Sequence, residues 1–269
     1  MLGTRVIVGF LLAVGAFFVI VRGSWIYFVV MAVLAMLGLL EYYRITRPYR
    51  PAALAGIVGL VLMLYFGWWG TPLGVLGALA LALALAFALV ATGGPRQGVT
   101  ARVAITAMGP LWVGMGFACL LLMRRLEAGM SLAMIVVFGT WAGDTFAYFV
   151  GRYFGATQMA PRLSPKKTWE GFAGGLLGTV FAVILIALLA GAVRPATPSV
   201  RPSQALLVGL VIAIVGPIGD LFESLIKRDM DIKDAGRFLP GHGGVLDRFD
   251  ALIFSSVAVY FLAVGFLSL

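Results

Sequence analysis

The residues best suited to chemistry lie in the polar stretch 224–250, which is flanked by long apolar runs. Its charges are interleaved: the aspartates are Asp229, Asp231, Asp234, Asp247 and Asp250, and the basic residues are Lys227, Arg228, Lys233, Arg237 and Arg248. The stretch also holds His242, the only histidine, between glycines that can adopt positive φ and approach a ligand closely. A solvated cationic loop is the simpler interpretation. A site that binds both a metal and a phosphate, however, would need acidic and basic residues interleaved in this way.

A second carboxylate, Asp144, lies inside the apolar run 130–150, one turn before Tyr148. An ionisable group within a membrane helix costs roughly 2.5–3.5 kcal/mol on insertion scales, so it is by default a candidate for function. Pairing with an arginine for packing is the alternative. We therefore predict a catalytic or metal-binding role for Asp144.

Asp220, Glu223, Ser224 and Lys227 are spaced as one polar stripe on a helix that ends a further apolar run. Pro217, just before the stripe, lacks a backbone donor and could kink the helix. A helix end whose side chains reach into the lipid headgroups would also produce such a stripe. Because the stripe contains two carboxylates, we favour a site.

Asp247 and Asp250 are three residues apart where the last apolar run begins. Carboxylates are stabilised at a helix N-terminus, so capping could explain either one. Oxygen ligands of this type suit Mg²⁺, which keeps several waters and bridges to substrate phosphates.

The connection 164–171 contains Lys166 and Lys167 beside hydroxyl side chains and an expected helix start, a combination that suits phosphate. By itself it would also fit an ordinary cytoplasmic loop, and Trp169 would fit an interfacial anchor.

The elements that must position these residues are membrane helices, because the chain of 269 residues is 62% hydrophobic and only 12% charged. Since a helix needs about 20 apolar residues to span the bilayer, we predict an all-α polytopic integral membrane protein with about nine transmembrane helices. The expected spans are 5–21, 25–40, 52–69, 73–92, 103–123, 130–150, 171–193, 205–223 and 250–268.

The basic residues predict the orientation of these spans. In this topology the far side holds only Arg22, Arg124, Arg125, Arg194 and Arg201, so fifteen of the 20 Lys and Arg residues share one side. The N-terminus and the site should therefore be cytoplasmic. As a separate expectation, we place the chain in a bacterial inner membrane. The net charge of +9 then indicates anionic lipid as the partner and not nucleic acid.

We expect residues 1–102 to form a lipid-embedded scaffold and residues 103–269 a catalytic region with cytoplasmic loops 151–170 and 224–249. Nine of the 11 acidic residues lie between positions 144 and 250, so three separate segments deliver carboxylates to one side. Phosphate-loop, zinc-protease and Cys-x-x-Cys patterns are absent from the sequence.

The stretch 224–250 (SLIKRDMDIKDAGRFLPGHGGVLDRFD) closely resembles the signature of the phosphatidate cytidylyltransferases, also called CDP-diacylglycerol synthases. The segments around Asp144 and over 164–171 resemble two further motifs of that family. The resemblance implies transfer of the cytidylyl group of CTP to phosphatidate, giving CDP-diacylglycerol and pyrophosphate. It also implies Mg²⁺, with K⁺ a candidate second ion, and a metal pair held by Asp220 and Asp247.

On this hypothesis the catalytic residues are Asp220, Asp247, Lys227, Arg228 and Asp144. The metal ligands are Asp220 and Asp247, helped by Asp144 or Asp250. The substrate-binding residues are Lys166, Lys167, Ser224, Lys233, His242, Gly243, Gly244 and Arg248. Two alternatives stay open, a CTP-dependent polyprenol or phytol kinase and an anion transporter, and a homodimer is compatible with either enzyme.

Overall fold

The computed structural model describes residues 2–93, 97–193, 199–236, 243–267 and 269, with side chains from residue 9 onward except at 191 and 193. Within these ranges the chain is helical apart from one two-stranded antiparallel hairpin and short connections. The predicted all-α membrane architecture is confirmed.

Ten α-helices follow one another in the described ranges. They are α1 (Leu2–Arg22), α2 (Ser24–Ile45), α3 (Ala53–Trp69), α4 (Pro72–Thr92), α5 (Val99–Gly109), α6 (Met115–Met123), α7 (Gly129–Phe154), α8 (Trp169–Val193), α9 (Pro202–Asp229) and α10 (Leu246–Leu262). The hairpin between α7 and α8 consists of β1 (Gln158–Ala160) and β2 (Ser164–Thr168).

Seven helical segments in the described part of the chain are long and apolar enough to cross a membrane. They are α2, α4, α5 joined to α6, α7, α8, α9 and α10 with its terminal turn. The other two predicted spans correspond to the shorter apolar helices Gly9–Arg22 and Ala53–Trp69. At 1.5 Å per residue the 17 residues of α3 reach about 26 Å, less than a hydrocarbon core of about 30 Å, so the count of nine is not confirmed.

Helix α4 buries small residues and exposes large apolar ones. In α4, Ala78, Ala82 and Ala86 are buried at intervals of one turn, whereas Leu73 and Phe87 are exposed. Small residues let helix backbones approach closely, and the large side chains suit lipid contact.

Two prolines affect their helices differently. At Pro110 the helix widens into a π turn, Pro110–Gly114, that joins α5 to α6, as expected where proline removes a backbone donor. Pro217 lies inside α9, yet α9 is assigned as one helix from Pro202 to Asp229. Pro217 therefore does not end or interrupt the helix, and the suggested kink stays a prediction.

The chain forms two compact units. Unit 1 comprises Met1–Leu122 and Met230–Phe249; unit 2 comprises Met123–Asp229 and Asp250–Leu269. The signature stretch therefore contributes to both units. The predicted division into scaffold and catalytic region stays a prediction.

The predicted loops are shorter in the structure. Helix α7 extends into 151–170 and the hairpin occupies most of the remainder, while α9 continues to Asp229 and α10 begins at Leu246. Ser224 and Lys227 are therefore helical, as the spacing of the stripe predicted, and the helix also includes Arg228, so the predicted loop 224–249 begins too early. The reason is that the polar stripe follows helical spacing and keeps Leu225 and Ile226 between its members, so nothing ends the helix at residue 223.

Candidate functional site

In unit 2 the structure joins two of the predicted motifs by an ion pair. Lys167 Nζ on β2 lies 2.7 Å from Asp220 Oδ2 on α9, with the two side chains 21% and 37% exposed. A charge-assisted contact at this distance is among the stronger polar interactions in proteins. The motif 164–171 and the carboxylate stripe thus belong to one site.

Two further predicted carboxylates lie around this ion pair. Asp250 on α10 is buried, and the charges of Asp220, Asp144 and Lys227 act on it. Helix α10 approaches α9 closely at Gly219, where a Cβ would lie 2.6 Å from the Asp250 carbonyl oxygen. Glycine beside Asp220 therefore allows the two helices to bring their aspartates together.

The hairpin presents only one of its two lysines to Asp220. Because neighbouring side chains of a strand point to opposite faces, Lys166 and Lys167 diverge, and Lys166 is exposed. Glu170 fixes the hairpin by accepting hydrogen bonds from the backbone N–H groups of Ala156 and Thr157 at 3.2 Å. Thr168 Oγ1 caps α8 by accepting from Gly171 N–H at 3.1 Å.

The rest of the stripe on α9 contains a second ion pair. Lys227 contacts Glu223 one turn earlier, and the Glu223 side chain is 3% exposed. Ser224 Oγ lies 3.5 Å from Asp220 Oδ1, a long contact, and Arg228 is exposed. Glu223, which the sequence analysis placed in the stripe without a role, holds Lys227 beside the carboxylates.

Asp247, in unit 1, binds the backbone of its own segment. Its Oδ2 atom accepts hydrogen bonds from Ala235 N–H at 2.9 Å and Gly244 N–H at 2.8 Å. Gly243 adopts φ +82°, as the glycine-rich sequence predicted, and a Cβ there would lie 2.7 Å from Asp247 Oδ2. Both donors lie before α10, so these bonds attach Asp247 to the preceding backbone and are not a cap of its own helix. The metal-binding function of Asp247 stays a prediction.

Glu41 is a site residue that the sequence analysis missed. It is buried on α2, and its Oε2 atom accepts from Leu246 N–H at 2.9 Å, at the start of α10. Glycines make room for it: a Cβ at Gly244 would lie 2.6 Å from Oε2, and one at Gly236 would collide with Oε1. A lone glutamate inside the apolar run 24–45 was the only available signal.

The donor chemistry of the unit 2 cluster fits Mg²⁺, because this ion usually takes one or two carboxylates and completes its shell with water and phosphate oxygens. Asp220 and Asp250, with Asp144 nearby, could supply those carboxylates. In the described ranges no three Asp, Glu, His or Cys side chains form a ready ligand set. Such a metal would therefore need oxygen atoms from the substrate or water.

The remaining predicted residues belong to other parts of the signature stretch. Lys233 and Arg248 are exposed on segments of unit 1. His242 lies outside the described residues. Their assignments as phosphate-binding residues stay predictions.

The fold and the site together define a polytopic membrane protein with a mixed carboxylate and lysine cluster at helix ends. The model of the cytidylyltransferase family matches residues 3–266, so the chain belongs to that family. The chain is 37% identical to a phosphatidate cytidylyltransferase of Bacillus subtilis over 162 residues, which are 60% of this chain and 58% of the relative.

Other relatives with the same name are similar to comparable extents. The identity is 37% over 174 residues with that of Thermotoga maritima, covering 65% of this chain and 63% of the relative. It is 40% over 162 residues with that of Mycobacterium leprae, covering 60% and 48%. The matched part thus spans about half to two thirds of the relatives' length.

Proposed function

We propose that this protein transfers the cytidylyl group of CTP to phosphatidate, giving CDP-diacylglycerol and pyrophosphate for phospholipid synthesis. The observation that carries the proposal is the ion pair between Lys167 and Asp220, with Asp144, Asp250 and Lys227 around it. Membership of the cytidylyltransferase family and the names of the relatives support the same reaction.

The proposed reaction is a displacement at phosphorus. A phosphate oxygen of phosphatidate attacks the α-phosphorus of CTP, the bond from that phosphorus to the bridging oxygen breaks, and pyrophosphate leaves. The attacking oxygen is already ionised, so no strong general base is required. The main difficulty is that two polyanions must meet, which favours electrostatic stabilisation by fixed cations.

The residues of unit 2 can provide that stabilisation. We assign Lys167, Lys227 and Arg228 to the phosphates of the substrates and the leaving group. Glu223 orients Lys227, and Asp220 orients Lys167 until phosphate competes for the ammonium group. When bound by Asp220 with Asp247, Asp144 or Asp250, Mg²⁺ would neutralise charge on the triphosphate. A second ion such as K⁺ belongs to the same proposal.

The test is a reaction in mixed detergent micelles with purified protein, CTP, phosphatidate and Mg²⁺, each omitted in turn. We expect pyrophosphate release only when all are present, and CDP-diacylglycerol as the lipid product. CDP as the nucleotide product would instead identify a lipid kinase. The continuous helix α9 does not favour transport, because transporter sites are typically formed by broken helices.

Asp220→Asn tests the residue that carries the proposal. Asparagine keeps the shape but removes the charge, so we expect turnover to fall by at least about a hundredfold, as for loss of one group that stabilises a transition state. Asp229→Asn is the matched control, because Asp229 is exposed at the end of the same helix and has no assigned function. Near-normal turnover of folded Asp220→Asn would refute the assignment.

A further inference from the structure

We propose that a pocket beside the signature stretch, lined by three arginines, is a binding subsite for the phosphate group of a substrate. The pocket has a volume of about 710 Å³ and lies within unit 1. One side is formed by Arg44, Arg47 and Arg50, and the other includes Met230, Ile232 and Asp234. None of the three arginines was assigned a function from the sequence beyond orienting the chain in the membrane.

The charges of the pocket favour an anion. Among the described residues, no carboxylate forms an ion pair with any of the three guanidinium groups, and Asp234 is the one acidic side chain in the lining. Guanidinium groups present a planar fork that matches phosphate oxygens, so arginines are suited to this ligand. The preference for basic residues on the cytoplasmic side explains their number but not their position around one pocket.

The arginine side of the pocket is held in a defined conformation. Arg50 has φ 52°, a left-handed conformation that residues other than glycine rarely adopt. Its carbonyl oxygen accepts from Arg102 Nε at 3.2 Å, and its N–H donates to the Arg47 carbonyl at 2.9 Å. Nearby, Ala52 N–H donates to Thr106 Oγ1 at 2.9 Å. The turn is thus attached to α5 at two points.

The opposite side of the pocket belongs to the signature stretch. Ala235, also in the lining, donates its N–H to Asp247 Oδ2 at 2.9 Å, so the pocket wall is bonded directly to a predicted catalytic carboxylate. Ile45, Pro48 and Ile232 add apolar surface beside the arginines. This combination suits a phosphate attached to an organic group better than a free inorganic ion.

The identity of the ligand rests on the proposed function, whose two substrates both carry phosphate: the triphosphate of CTP and the phosphomonoester of phosphatidate. Either fits the chemistry of the pocket. The two sources can be separated, because each substrate can be offered to the full-length protein without the other.

The experiment compares wild-type protein with the double variant Arg44→Gln/Arg47→Gln and the conservative variant Arg47→Lys. Dissociation constants are measured from ligand-induced shifts in thermal unfolding, once with CTP and once with phosphatidate in mixed micelles. Arg201→Gln is the control, because it removes one exposed arginine just before α9, outside unit 1. Melting without ligand checks the fold of each variant.

We expect the double variant to weaken binding of one substrate by about a hundredfold, roughly tenfold for each charged hydrogen-bonding group removed. Arg47→Lys should have an intermediate effect, since it keeps the charge but loses the fork, and Arg201→Gln should have none. A weaker CTP response identifies the nucleotide as the ligand, and a weaker phosphatidate response identifies the lipid.

Unchanged dissociation constants for both substrates in the double variant would overturn the subsite. An equal weakening of substrate binding by Arg201→Gln would also overturn the subsite, because the effect would then come from the overall charge of the protein and not from the pocket. The binding measurement does not depend on turnover. The two proposals can therefore fail separately. If wild-type protein forms no CDP-diacylglycerol, the proposed function fails. If wild-type protein nevertheless binds inorganic pyrophosphate and the double variant does not, the phosphate subsite stands.

Discussion

Lys166 and Lys167 are adjacent in the sequence, yet only Lys167 contacts a carboxylate of the site. It lies 2.7 Å from Asp220, whereas Lys166 is exposed on the other face of β2. An ion pair of this kind can hold a lysine in position for an anionic substrate. Replacing each lysine in turn therefore gives two matched variants. Each loses one positive charge from β2, but from opposite faces of the strand.

We predict that Lys167→Ala lowers kcat/KM by roughly 10- to 100-fold, as expected for loss of a hydrogen bond to a charged group. Lys166→Ala should change it by less than about threefold. Initial rates of CDP-diacylglycerol formation at varied CTP concentration measure both. Equal losses in the two variants would mean that the hairpin contributes only general positive charge, and the face-specific assignment would be wrong.

At this scale the sequence could identify residue types but not their partners. The paired lysines were predicted to bind phosphate and the stripe at Asp220 to bind metal. The ion pair between Lys167 and Asp220 was not predictable. The reason is that which lysine faces α9 depends on the register of a three-residue strand, Gln158–Ala160, that the sequence analysis treated as loop.

Among the elements, the N-terminus of α10 depends most on distant parts of the chain. The first backbone N–H groups of a helix lack internal partners and need acceptors from elsewhere. Glu41, 205 residues away on α2, accepts from Leu246 N–H, and Asp247 accepts from Gly244 N–H and Ala235 N–H. Two carboxylates of unit 1 thus accept hydrogen bonds from Ala235, Gly244 and Leu246, the last of which is the first residue of α10.

We predict that Glu41→Ala speeds hydrogen exchange over residues 243–249 and lowers stability by about 1.5–3 kcal/mol, the usual range for a hydrogen bond to a charged group. Deuterium uptake by mass spectrometry and thermal unfolding in detergent measure the two effects. Glu127→Ala is the control, because Glu127 is an exposed glutamate of the chain. Wild-type exchange rates over 243–249 in the Glu41 variant would contradict this function of Glu41.

Helix existence was predictable because the apolar runs are long, whereas helix ends were not. The apolar pattern predicts that the eighth span ends at residue 223 and the ninth begins at 250, whereas α9 reaches Asp229 and α10 starts at Leu246. Polar residues with helical spacing extend a helix beyond its apolar part, so hydropathy alone sets its boundaries too early. Glu41 was missed for a related reason: its contact with Leu246 depends on tertiary packing and has no local signal.

Across the whole molecule, composition was enough to predict a polytopic membrane protein. The specific membership of the cytidylyltransferase family depended on the signature stretch 224–250. The division into units was not predictable, because unit 1 takes Met230–Phe249 from far along the chain and α10 continues into unit 2. Long-range packing of this kind leaves no period in the sequence.

The orientation in the membrane is the remaining prediction for the whole molecule, and it follows from the excess of Lys and Arg on one side. The hairpin turn at Arg162 should face the cytoplasm, and Arg201, the residue before α9, should face the opposite side.

Single cysteines at these two positions can report the side of the membrane that each residue faces, once the buried Cys119 is replaced by alanine. In right-side-out membrane vesicles, a membrane-impermeant maleimide should label Arg201→Cys but label Arg162→Cys only after permeabilisation. Inverted vesicles should give the opposite pattern. Labelling of Arg162→Cys from outside intact right-side-out vesicles would reverse the topology, and would place the Lys167–Asp220 cluster on the side without cytoplasmic CTP.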